Sequence, residues 1–128
     1  MNKEELSQLV ELYSKFEKDA ERVSRILRKS KKQTCQYGNI NYADQFRIDG
    51  DSVSWEGDEY GSYQYHEVHS GNFPLEYLTM SDEDINKVVD QENRDYEEEE
   101  KRLKKEQEER ERRTKLAMFN KLKEELGK

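Results

Sequence analysis

The chain has 128 residues, 31% hydrophobic and 41% charged, against about 45–50% and about 25% in ordinary globular domains. That balance excludes one compact core drawn from the whole chain and favours a small core carrying long solvated helices. The formal charge is −7, and no apolar run approaches the roughly 18 residues of a membrane span.

Residues 1–32 carry nine bases and six acids and read as a helix from about Lys3 to Lys29. Leu6, Leu9, Tyr13, Phe16, Ala20, Val23 and Leu27 recur with alternating spacings of three and four, a heptad seam. Val10, Leu12 and Ile26 widen the stripe. The cations from Arg28 to Lys32 suit a helix C-terminus, where they complement the macrodipole. The single cysteine, Cys35, excludes an internal disulfide and is expected to be half-buried. With no signal-peptide pattern in MNKEELSQLV, a reducing cytoplasm is expected.

Residues 33–80 hold one base, Arg47, and eight acids. Five glycines punctuate segments rich in Tyr, Phe, Val and Trp, which predicts strands and turns. Gln45–Ile48 and Ser52–Trp55 flank Asp49-Gly50-Asp51, a strong hairpin signal. Tyr63–Val68 alternates as a third strand would, and Ser70-Gly71-Asn72 reads as the turn after it. Pro74 keeps the next segment at a sheet edge or off the ladder. Three strands need a helix over their apolar face, and the first helix is the expected lid.

Residues 81–128 open on Ser81-Asp82-Glu83-Asp84, a hydroxyl N-cap followed by acids. No Gly or Pro interrupts the helix before Gly127, so unbroken it would extend roughly 65–70 Å. In residues 97–113, fifteen of seventeen side chains are charged, with Glu placed four before Lys or Arg seven times, counting the pair that ends on Lys115. That order stabilises an exposed helix by roughly 0.2–0.5 kcal/mol per pair. Ile85, Val88, Val89 and Tyr96 are expected on the core. Leu116, Phe119, Leu122 and Leu126 form a second apolar patch, expected to meet another copy of the chain.

No P-loop, nucleophile elbow, paired CxxC or dinucleotide fingerprint is present, so the chain is not expected to be an enzyme or to carry a cofactor. His66-Glu67-Val68-His69 is one residue short of the zinc-protease spacing, and strand residues three apart face opposite ways. Asp49, Asp51, Asp58 and Glu59 lack the glycine of a calcium loop. No metal ligand set is therefore expected. Six of the eight tyrosines and Trp55 crowd the acidic module, more than so small a sheet can bury. Trp55, Asp58, Glu59, Tyr60, Tyr63 and Tyr65 are the candidate binding face for a basic protein surface. A single base in the module disfavours polymeric nucleic acid. A small nucleotide held by Arg25, Arg28, Lys29 and Lys32 is the alternative ligand, and a coiled-coil assembly protein the third possibility.

Val53-Ser54-Trp55-Glu56, the Gly/Tyr-rich loop, Asn72-Phe73-Pro74-Leu75-Glu76-Tyr77-Leu78-Thr79 and Ser81-Asp82-Glu83 before a charged helix together resemble small uncharacterised accessory proteins of bacterial viruses. The similarity covers about residues 46–128. It implies a protein that blocks or sequesters a host factor in the infected cell. The expected architecture is α+β: a heptad helix, a small antiparallel sheet and a long charged helix, as a homodimer or higher oligomer.

Overall fold

The computed structural model describes residues 1–127. It contains α1 (Lys3–Leu27), α2 (Gln33–Gln36), a 3-10 turn at Ile40–Tyr42, β1 (Gln45–Asp49), β2 (Ser52–Tyr60), β3 (His66–Pro74), a 3-10 turn at Leu75–Thr79 and α3 (Asp82–Leu126). The three strands form one antiparallel sheet in the order β1-β2-β3, so the architecture is α+β as expected. Among the described residues, no helix is long and apolar enough to cross a membrane.

Asn2 caps α1, its side chain accepting from the Glu5 amide at 2.8 Å. The heptad seam then splits. Ala20, Val23 and Leu27 are fully buried with Phe16 packed beside them, whereas Leu6, Leu9 and Tyr13 are about half exposed. Only the C-terminal half of α1 covers the sheet.

β1 and β2 pair with Asp49 opposite Ser52, leaving Gly50 and Asp51 as a two-residue loop. Gly50 has φ +59° and Asp51 does not enter positive φ, which places glycine first in the turn as the type II′ hairpin requires. The third strand differs from expectation. Tyr63–Tyr65 belong to the loop after β2, and β3 starts at His66 and runs straight through Ser70, Gly71 and Asn72. Gly71 signals a close approach within the strand, since the Tyr37 carbonyl lies against it. Pro74 ends β3, an edge strand where a missing amide costs no ladder bond. Cys35 also departs from expectation, being exposed on α2.

Val53, Trp55 and Phe73 on the inner face of the sheet meet Ala20, Val23, Ile26 and Leu27 of α1 and Ile85 and Val89 of α3 in one core. Ser81 caps α3, its hydroxyl accepting from the Asp84 amide at 3.2 Å. Arg22 clamps this helix start, pairing with Asp82 at 2.5 Å and donating to the Met80 carbonyl at 3.2 Å. Ten residues on, Glu92 accepts from Ser30 at 2.5 Å and from the Tyr37 hydroxyl. Asn93 accepts from the Lys31 amide and donates to the Lys29 carbonyl. The turn out of α1 is thus tied by side chains rather than by a glycine cap.

Burial, and the Glu92 carboxylate beside it, hold the Tyr37 hydroxyl protonated well above the usual phenol range. The unfolded chain ionises this group near pH 10 while the folded chain keeps it neutral. Its contribution is therefore complete below pH 10 and is lost above it, by at most about 1.4 kcal/mol per pH unit. The stability advantage of wild type over Tyr37→Phe should shrink between pH 9 and about pH 11. Urea unfolding at both values measures it, and a constant difference would disprove the coupling.

By internal packing the chain divides into two units, Met1–Asn93 and Arg94–Lys128. The boundary lies inside α3, not at residue 80, because Ile85, Val89 and Glu92 are part of the core and its polar ties. The second unit is the charged helical stretch, on which Leu116, Phe119, Leu122 and Leu126 are all exposed.

Candidate functional site

The site is the far end of the β2–β3 hairpin, built by two glycines on the inner sheet face. A Cβ on Gly57 would lie 1.5 Å from the Tyr42 carbonyl oxygen, and one on Gly71 would lie 1.9 Å from that of Tyr37. Their absence lets segment 37–42 lie flat on the sheet. Trp55 fastens it, donating its indole N–H to the Tyr37 carbonyl at 2.8 Å. The Tyr42 ring is thereby stacked on His69, 4.7 Å between centroids and 12° from parallel.

Residues alternate between the two faces from this point. On the inner face Glu59 lies directly opposite Glu67, and His69 opposite Gly57. His69 Nε2 is 3.5 Å from Glu59 Oε1 and 3.9 Å from Glu67 Oε2. It is buried and makes no well-aligned hydrogen bond to either. The Tyr42 hydroxyl donates to Glu59, which holds that carboxyl below its usual range, with Tyr65 and His69 adding to the effect. The Tyr65 hydroxyl donates to Glu67, which pushes Tyr65 up to about 12. Two carboxylates, one imidazole and two phenols thus share one small polar cluster.

On the outer face Tyr60 stacks on its cross-strand partner His66 at 4.8 Å. His66 Nε2 meets Asp58 at 2.9 Å. Between the faces runs the loop Gly61–Tyr65, closed by the Gly61 amide donating to the Tyr65 carbonyl at 3.0 Å. Tyr63 and Gln64 have φ of +60° and +64°, left-handed values that cost non-glycine residues roughly 1–2 kcal/mol each. Tyr63 is fully exposed at the loop's tip, and Tyr60 is 76% exposed.

The six candidate binding residues therefore separate. Tyr60 and Asp58 face outward, Tyr63 and Tyr65 lie in the loop, and Glu59 joins the inner cluster. Trp55 is a correction: at 1% exposure it belongs to the core and offers no surface. Sequence reasoning missed Glu67, His69 and Tyr42 as site residues. The register of β2 against β3, which sets Glu59 across from Glu67, is the signal that would have found them.

The alternative basic cluster does not converge on one groove. Arg28 lines a cleft of about 530 Å³ between α1 and β1 whose wall also includes Glu17, Glu21, Asp44 and Glu56. Arg25 pairs with Glu21 at 2.5 Å and lines a different depression. Lys29 and Lys32 line neither. A phosphate entering the Arg28 cleft would meet four carboxylates against two guanidinium groups, Arg28 and Arg47, so this geometry does not favour a nucleotide. No protein-family model, curated protein or solved structure matches the chain.

Proposed function

We propose that the chain is a non-enzymatic binding protein that captures a protein with a basic surface through its β2–β3 hairpin end. The observation that supports this is the exposed Tyr63, presented at a tip where the backbone is strained, with Tyr60 and Tyr65 beside it. Strained conformations concentrate where a side chain must be presented, and rigid exposed tyrosines are common hot-spot residues. Asp58, Glu59 and Glu67 supply negative charge around them, which attracts a basic partner. The resemblance to viral accessory proteins gives this capture a setting, the blocking or sequestering of a host factor.

Tyr63→Gly separates folding from binding. Relief of the left-handed strain opposes the loss of about 0.4–1 kcal/mol from the freer unfolded chain, so stability should hold or rise by no more than about 1.6 kcal/mol. Combined with Tyr60→Ala, it should reduce capture of a basic protein from a bacterial lysate at least ~10-fold, a loss of about 1.4 kcal/mol. Capture by the wild type should also weaken as salt rises. Undiminished capture by the folded double variant would remove the surface from consideration.

A second reading, self-association, rests on the unpartnered apolar residues of the α3 end. Leu116, Met118, Phe119 and Leu122 are 57–63% exposed, and Leu126 more so. A chain lacking residues 116–128 should assemble with fewer copies per particle, measured by light scattering as particle mass divided by chain mass, than the full chain. An unchanged number of copies would end this reading.

A further inference from the structure

We propose that Glu59, Glu67 and His69 bind a divalent first-row transition-metal ion of the zinc type. One ligating atom from each residue lies within 4.8 Å of the other two. Ligands about 2.0–2.2 Å from a tetrahedral zinc ion sit roughly 3.3–3.5 Å from one another. The His69–Glu59 separation of 3.5 Å already matches, and that to Glu67, 3.9 Å, closes with a small side-chain rotation.

Three further observations point to a cation rather than to a self-sufficient hydrogen-bond cluster. His69 Nε2 is buried and makes no well-aligned hydrogen bond, its nearer carboxylate oxygen standing 3.5 Å away on Glu59, an arrangement that leaves the nitrogen able to take a closer cation. Glu59 and Glu67 are direct cross-strand partners on one face, and like charges so placed repel. A doubly charged ion between them would neutralise both. The ligands are also held from behind. Tyr42 donates to Glu59 and stacks on His69, while Tyr65 donates to Glu67. Such outer hydrogen bonds orient metal ligands, and a carboxylate oxygen that accepts one retains a second lone pair for the ion. The imidazole selects the class, because magnesium and calcium take oxygen ligands.

The site lies on the inner face of the hairpin end; it shares Glu59, Glu67 and Tyr65 with the surroundings of the capture surface, and metal binding is tested with no partner present. Calorimetric titration of the full chain with zinc is expected to show one ion per chain, undisturbed by an equal concentration of magnesium. His69→Ala and Glu67→Gln should abolish that binding. Tyr65→Phe, a positioning variant, should weaken it roughly 10–100-fold. His66→Ala, on the opposite face, should leave it intact, and circular dichroism of each metal-free variant checks its fold. Zinc should raise the melting temperature of wild type and not that of Glu67→Gln. Absence of zinc binding by wild type, or equal binding by His69→Ala and Glu67→Gln, would overturn the proposal.

Discussion

Gly57→Ala is expected to destabilise the fold by about 3 kcal/mol or more, beyond the usual cost of overpacking. The added methyl would stand 1.5 Å from the Tyr42 carbonyl oxygen and 2.5 Å from its carbon. Both are backbone atoms, so no rotamer change can relieve the clash. Either β2 bends or segment 37–43 lifts off the sheet, and lifting it carries the Tyr42 ring away from His69. Gly50→Ala provides the contrast. Gly50 has open space where a Cβ would go and only its φ of +59° to lose, a cost of about 1–2 kcal/mol. Urea unfolding of the two variants measures the difference. If Gly57→Ala were no worse than Gly50→Ala, the close packing of the 37–43 segment on the sheet would be wrong.

Trp55→Ala is expected to cost about 3–5 kcal/mol, a large share of the roughly 5–15 kcal/mol that holds a domain folded. Trp55 is fully buried between sheet and helix, and its indole N–H satisfies the Tyr37 carbonyl. Trp55→Phe keeps most of the bulk and removes the donor, so about 1–3 kcal/mol should be lost for the orphaned carbonyl alone. Circular dichroism must report both variants, because Trp55 is the only tryptophan. A surface Trp55 would behave oppositely, losing partner capture while stability held. Unchanged stability in Trp55→Ala would return it to the binding face.

The two variants mark where local pattern ceased to be informative. Glycine, aromatic and β-branched residues between 45 and 74 announced strands correctly, but glycine has two meanings in such a stretch. At Gly50 it marks a turn, as the Asp-Gly pair suggested. At Gly71 it marks the passage of another backbone over a continuous strand, and nothing local distinguishes the two cases. The Tyr63–Val68 alternation misled for a related reason. Alternation records side-chain chemistry, whereas the loop's left-handed residues, Tyr63 and Gln64, are types that ordinarily avoid positive φ. Of the candidate site, Tyr60 and Tyr63 were legible as surplus aromatics that a small sheet cannot bury. Trp55 was not separable from them by composition, since burial depends on which strand face meets α1.

Elements with strong periodic or capping signals were legible from linear order. These are α1 from its three-four spacing, the first hairpin from Asp49-Gly50, and α3 from the Ser81 cap and a run without Gly or Pro. Each depends on interactions within a few residues, which linear order records directly. Tertiary structure alone decided that only half of the heptad seam is covered and that segment 37–42 lies across the sheet. It also decided that Glu59, Glu67 and His69 converge. Those outcomes rest on strand register and on a chain crossing, contacts between residues remote in sequence, and a one-residue shift of β3 against β2 would have sent Glu67 and His69 to the face opposite Glu59.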